Sequence, residues 1–328
     1  MLAEFRKLGG TAENVRLGEG SLGRGLFPID PAKPVSVRIP ESLLLEAKYA
    51  RIENGTFRVA ADAPMGHEEK VFLESYQREY SWGVGHQNVQ ELLQLIENAP
   101  AELRSFLDKP LDLSTWLAGA TPSAVAERYL SSRVYSAYKG KRVLMPVVEL
   151  VNHGPGTQFQ DDDGIGFRGQ FAGEILVRYG DFDPFDVFET WGFASGNEIL
   201  AFSLPMKVET PQGPLVINRD PLQSGEGNKR FFPHISMKDG ELTLSHMLLG
   251  HKVTPSLPRS IFFEIMRDTG RKAPGVTFDM LQHINRSQFY RLLALSEWAE
   301  PPLDRLLRDV ARYQLEAMSY YIGAAPSN

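Results

Sequence analysis

Cysteine is absent from all 328 positions. That absence alone excludes disulfides, thiolate zinc sites, iron–sulfur clusters and a cysteine nucleophile. Also missing is any apolar run of the roughly 18 residues that a membrane-spanning helix needs, so no membrane partner is expected. Met1 to Gly10 lacks a basic segment followed by an apolar one, so nothing reads as a signal peptide and the cytoplasm is the expected compartment. Positive charge is in deficit: 35 Lys and Arg face 41 Asp and Glu, a formal net charge of -6. Such a chain has no general attraction to nucleic acid, and a basic substrate is electrostatically easier. Internal repeats and low-complexity tracts are missing too. What is present is a globular composition, with 42% hydrophobic residues to fill a core and length for about two domains.

Texture changes along the chain. The first 45 residues read as short strands broken by turns, in NVRL, GRGLFPID and VSVRIP. From about Glu68 to Tyr138 the segments are helical, including QNVQELLQLIENA and ATPSAVAERYLSSRVYSAY, the latter with Thr121 as N-cap and Pro122 in the first turn. Strand texture returns in RVLMPVVELVN, GIGFRGQF, GEILVRYG and NEILAFSL, before a Pro- and Gly-rich region from Pro205 to Gly227 that marks a boundary. A final helix carries Leu303, Leu306, Leu307, Val310, Ala317, Met318 and Tyr321 at helical spacing, which predicts packing on its own domain. The fold class is α+β.

The stretch GEGSLGRG, Gly18 to Gly25, opens with G-x-G-x-x-G. A dinucleotide fingerprint needs a helix directly after those glycines, whose N-terminus holds the pyrophosphate. Here the glycines run into LFPIDPAKP, and prolines at 28, 31 and 34 forbid that helix. A glycine-rich β-turn is the reading that remains.

Other stretches give that turn a context. In order, the chain reads GRGLF at 23–27, IPESLL at 39–44, SRVY at 132–135, ELVNH at 149–153, GEILVRYG at 173–180 and WGF at 191–193. This series resembles the SET-domain protein lysine methyltransferases, in particular the subfamily typified by the Rubisco large-subunit methyltransferase. There a G-x-G-L-F/V turn, I-P-x-x-L-L, S-R-x-F/Y, D-x-x-N-H and G-E-x-x-x-x-Y-G followed by G-F occur in the same order. The resemblance covers roughly residues 13–45 and 130–193. It implies a SET fold of several small β-sheets with a knot-like crossing, an inserted helical lobe at about 46–140 within a SET domain at 1–204, and a mostly helical substrate-docking lobe at 205–328.

It also implies S-adenosylmethionine as methyl donor and a protein lysine as acceptor. Methyl transfer is an in-line displacement by a neutral amine, so alignment supplies much of the gain. A lysine with a reference pKa of about 10.4 must lose its proton first, which an apolar channel and a nearby sulfonium favour. By the resemblance, Tyr179 sits beside the sulfonium methyl as the catalytic residue, where a phenol oxygen can accept weak C–H···O contacts. Asn152 and His153 contact the adenine through their backbone and hold the crossing together through their side chains. Arg133 pairs with the cofactor's carboxylate, a partner that suits its planar fork. Gly23, Arg24 and Gly25 wrap the methionine portion, glycine allowing close backbone approach. Phe193 stacks on adenine or walls the lysine channel, and Trp191 lines that channel. The chain departs from the family pattern at Glu149, where aspartate is usual, at Pro184 and Phe185, where S-N-x-E is common, and at Trp191, often tyrosine.

The remaining clusters read as structural. Asp161, Asp162 and Asp163 form a solvated acidic turn, His246 and His251 are five apart and do not share a helix face, and no metal is expected. Lys229, Arg230, Phe231 and Phe232 mix basic and aromatic residues as nucleic-acid binders do, on an otherwise acidic chain. Beside the lysine methyltransferase stand two alternatives: a silent SET-like module that binds a protein or peptide, and an enzyme whose acceptor is histidine or a small-molecule amine.

Overall fold

A computed structural model describes residues 1–220 and 231–319. It opens with helix α1 (Leu2–Lys7) and strands β1 (Thr11–Glu13), β2 (Val15–Gly20), β3 (Gly23–Pro28) and β4 (Val35–Ile39). Short strands β5 (Leu45–Glu46), β6 (Ala50–Glu53) and β7 (Thr56–Val59) precede helices α2 (His67–Tyr80), α3 (Trp82–Glu97), α4 (Ala101–Asp108) and α5 (Pro122–Ser132). Next come β8 (Val134–Tyr138), β9 (Lys141–Leu144), β10 (Asn152–Gln158), β11 (Ile165–Gly169) and β12 (Leu176–Arg178). Helix α6 (Pro184–Trp191) leads into β13 (Leu200–Phe202), β14 (Met206–Val208), β15 (Leu215–Ile217), β16 (Ile235–Lys238), β17 (Glu241–Leu244) and β18 (Leu248–His251). Helices α7 (Leu257–Asp268), α8 (Pro274–Ser296) and α9 (Leu303–Ser319) complete the described chain, which is thus α+β. Among the described residues no helix is long and apolar enough to cross a membrane.

Two compact units divide the chain: Met1–Glu91 with Ala120–Gly180, and Leu92–Gly119 with Asp181–Asn328. The first carries small sheets in the orders β1-β4-β11, β2-β3, β5-β9-β8, β6-β7 and β10-β12. Strand β4 is central because its alternation buries Val35, Val37 and Ile39, while Val37 faces Ala12 of β1 and Phe167 of β11 in register. GEGSLGRG folds as the tip of the β2–β3 hairpin, pairing Gly20 with Gly23 at φ +88°, a conformation that favours glycine. No helix follows it, as the prolines require. Thr121 caps α5, accepting the Ala124 N–H at 3.3 Å, with Pro122 in the first turn. The helix expected through Tyr138 stops at Ser132, and residues 134–138 become a strand because they pair with β9. ELVNH likewise is not the end of one strand: Val148–Leu150 is a 3-10 turn, and Asn152 begins β10.

In the second unit, β14-β15-β17-β16 form one sheet and β13-β18 another, so the C-terminal lobe, expected to be mostly helical, places five short strands ahead of its helices. Helix α9 buries Leu303, Leu307, Val310, Ala317 and Met318, leaves Leu306 half-buried, and packs on α8, α6, β13 and β18 of its own unit. Tyr321 lies outside the described residues. Helix α6 begins with a capping box, Asp183 and Asp186 each accepting the other's backbone N–H, and ends at Gly192 in the left-handed region.

Candidate functional site

The first unit brings together Gly23, Arg24, Gly25, Arg133, Asn152, His153 and Tyr179. Their meeting depends on the parallel pairing of β10 with β12, which sets Asn152 opposite Leu176 and His153 opposite Val177. Gly156 makes that approach possible, since a Cβ there would lie 2.4 Å from the Leu176 carbonyl oxygen. The Ile175 N–H donates to the Leu26 carbonyl at 2.8 Å and draws β3 against the same segment.

Asn152 joins the pieces. Its Nδ2 donates to the Arg24 carbonyl at 3.2 Å and to Glu174 Oε1 at 2.6 Å. Glu174, for which the sequence suggested no part, lays its carboxylate over the hairpin: a Cβ at Gly25 would meet Oε1 at 2.5 Å, and one at Gly20 would meet Oε2 at 2.5 Å. The hairpin glycines are therefore required by close approach as well as by the turn. The Arg24 side chain reaches the Tyr80 carbonyl at the end of α2.

Tyr179 follows β12 and is held at both ends. Its N–H donates to His153 Nδ1 at 3.3 Å, which fixes that nitrogen as an acceptor. Its hydroxyl donates to the Val151 carbonyl at 2.8 Å. The proton is thereby committed to a backbone oxygen. His153 meets the ring edge-on at 5.0 Å, Phe159 stacks at 6.2 Å, and Tyr135 meets Phe159 edge-on at 6.1 Å. Burial pushes the Tyr179 hydroxyl up to about 12, Glu149 adds to the shift, and Arg133 opposes it, so this phenol stays protonated at neutral pH.

Arg133 closes α5. Its Nη1 donates to the Glu149 carbonyl at 3.4 Å, its guanidinium lies 5.2 Å from the Tyr129 ring centre, and its enclosed Nε has no hydrogen-bond partner. Glu149, one of the departures from the family pattern, is buried; burial pushes its carboxyl up, against the pull of Arg133. Tyr76, Phe159 and Glu174 leave no signal of their own in the sequence because their partners lie far along the chain; only Glu174 stands within a motif, GEILVRYG.

Trp191 and Phe193 belong to the second unit. Trp191 ends α6 with its ring 4.9 Å from Phe182, edge-on, and Phe193 lies 6.5 Å from Trp191 beyond the Gly192 cap. Pro184 and Phe185 are buried in the first turn of α6. In the acidic turn, Asp161 Oδ2 accepts the Tyr135 hydroxyl at 3.2 Å and the Asp163 carbonyl accepts Arg38 Nε at 2.6 Å. His246 and His251 are buried beside Phe202 and Phe231 respectively. Lys229 and Arg230 lie outside the described residues.

No family model matches the chain, and no curated protein matches it by sequence. In structure it is similar to the SET domain of LSMT bound to lysine and AdoHcy, at 12% identity and a TM-score of 0.46, over 98% of this chain and 89% of that one. It is also similar to Rubisco LSMT bound to sinefungin and monomethyllysine, at 11% identity and a TM-score of 0.41, over 98% of this chain and 88% of that one.

Proposed function

We propose that the protein is an S-adenosylmethionine-dependent methyltransferase that transfers a methyl group to a lysine side chain of a protein. The observation that carries this reading is the setting of Tyr179. Its proton is given to the Val151 carbonyl, its backbone N–H is tied to His153 and its ring is walled by Phe159, so the phenol oxygen is held in one place.

The residues fit the cofactor. Arg133, with a buried and unpartnered Nε, is the group for its carboxylate, since buried donors are normally bonded. The Gly23-Arg24-Gly25 strand and the Asn152-His153 pair would hold its remainder. When bound, the cofactor supplies an electrophilic methyl on a sulfonium. The chain supplies placement. Tyr179 Oη accepts weak C–H contacts and an N–H of the incoming amine, which fixes the line of attack. Phe159, stacked on Tyr179, is an aromatic wall for an aliphatic lysine stem, and an apolar wall favours the neutral amine because it disfavours the ammonium form. Residues 1–204 are the SET domain, and residues 205–328 the lobe that docks the substrate protein.

Calorimetry with S-adenosylhomocysteine, together with labelling of lysate proteins by a tritiated methyl donor, tests the proposal. Binding and label on lysine are expected, and Tyr179→Phe should lower turnover by about 10²-fold while leaving cofactor affinity within a fewfold. Absence of both binding and label would sink it. Binding without label, unchanged in the Tyr179 variant, would point to a silent binding module, and label on histidine would move the acceptor.

A further inference from the structure

Helix α2 supplies a polar group to an enclosed place. Tyr76 is 1% exposed, and burying a hydroxyl is costly unless it is bonded. It donates to Glu149 Oε1 at 2.9 Å, and Gln77 Nε2 reaches the same oxygen at 3.5 Å. One turn later, Ser81 Oγ lies 2.8 Å from Tyr129 Oη, and it is the Tyr129 ring that underlies the Arg133 guanidinium. Arg133 in turn donates to the carbonyl of the same Glu149. Helix α2 thus braces both the acid beside the arginine and the ring beneath it.

We propose that Tyr76 is a positioning residue for cofactor binding, holding the Glu149 carboxyl in place beside Arg133 as its counter-charge. This rests on the reading of Arg133 given above. A buried carboxylate prefers to be neutral, and a buried guanidinium left without a counter-charge is costly. The groups facing Glu149 are Tyr76 and Gln77 from α2, Ser81 at its C-cap, Tyr129 and Arg133 from α5 and its end, Arg24 from β3, and Tyr179 after β12. Of the direct contacts, the Tyr76 hydroxyl is the short one. Removing it raises the pH at which Glu149 takes up a proton, and so raises the pH below which Arg133 loses its counter-charge.

The test is calorimetric titration of the full chain with S-adenosylhomocysteine from pH 6 to 9, for wild type, Tyr76→Phe and Glu149→Gln, with thermal melts to show that each is folded. Tyr76→Phe should bind roughly tenfold more weakly at neutral pH, the scale of one buried hydrogen bond to a charged group. Its loss of affinity on acidification should also begin at higher pH than in wild type. A purely structural tyrosine would move the melt without moving that profile. Should Tyr76→Phe fail to fold, Glu149→Gln carries the test: weak binding that no longer varies with pH supports the proposal, and wild-type affinity overturns it. Tyr76→Phe with a wild-type affinity and pH profile overturns it, as does tighter binding on acidification, which would make Glu149 a competitor of the ligand. A wild-type chain that binds no probe at any pH removes the parent reading and this one with it.

Discussion

Arg219 stands between two buried carboxylates, and its removal should destabilise the second unit in a pH-dependent way. Its Nη2 lies 2.7 Å from both Asp183 Oδ1 and Asp186 Oδ1, and the side chains are 5%, 0% and 9% exposed. Asp183 further accepts the Phe202 N–H and Gln314 Nε2, each at 2.8 Å, and the Asp186 N–H at 2.7 Å. One cation against two carboxylates leaves a surplus negative charge. Burial is the main cause that pushes Asp186 up to about 8, with Asp183 adding to it and Arg219 opposing. The unfolded value is 3.8, so between about 4 and about 8 the folded state keeps a proton that the unfolded state gives up. Wild-type stability should therefore fall as pH rises through that window and level off above it. Arg219→Met leaves the carboxylates without their cation, which costs about 3–5 kcal/mol above pH 8 and less near pH 5, where protonation relieves the charge. For a unit of this size that is a drop of about 6–20 °C in its melting transition. Asp186→Asn keeps an acceptor for Arg219 and removes the titration, so its pH slope should flatten. Calorimetric melts from pH 5 to 9 decide the matter: a wild-type transition that rises with pH, or an Asp186→Asn slope equal to wild type, would refute the reasoning.

Local rules made much of the first unit legible. The alternation in VSVRIP places β4, the prolines after Gly25 forbid a phosphate-binding helix, and Thr121-Pro122 marks the start of α5. Those signals act within a few residues, where backbone sterics and capping decide. The strand at 134–138 was hidden because pairing with β9 outweighs the helical continuation suggested by SSRVYSAY. Tyr76 and Glu149 are 73 positions apart, and Asn152 and Glu174 are 22 apart. Neither pairing leaves a periodic trace, since a buried tyrosine on α2 looks like any core aromatic until its hydroxyl finds an acid. Strands β14 and β15 have three residues each and β16 to β18 four, too few for alternation to stand out.

Two glycine substitutions test the frame of the site. At Gly166 in β11, a Cβ would lie 2.2 Å from the Val37 carbonyl oxygen of central strand β4, so Gly166→Ala should cost about 2–3 kcal/mol in the melt of the first unit; an unchanged melt would refute that close approach. Gly25→Ala meets a different obstacle, Glu174 Oε1 at 2.5 Å and Asn152 Nδ2 at 3.0 Å, both ends of side chains. Flexible ends would ordinarily yield at little cost, but Asn152 holds Glu174 at 2.6 Å, and the other carboxylate oxygen abuts the hairpin at Gly20. The alanine must therefore break the latch that ties β3 to the Tyr179 segment. Gly25→Ala should lose about 1–3 kcal/mol of stability and bind S-adenosylhomocysteine more weakly. Glu174→Ala opens the space, so the double variant should be more stable than the sum of the two single losses predicts. Gly23→Ala is the control, for a Cβ there meets nothing within 4 Å, and its φ of +88° alone costs about 1 kcal/mol, which Glu174→Ala cannot relieve. Strict additivity for Gly25→Ala with Glu174→Ala, matching that at Gly23, would show that the carboxylate latch does not hold the hairpin.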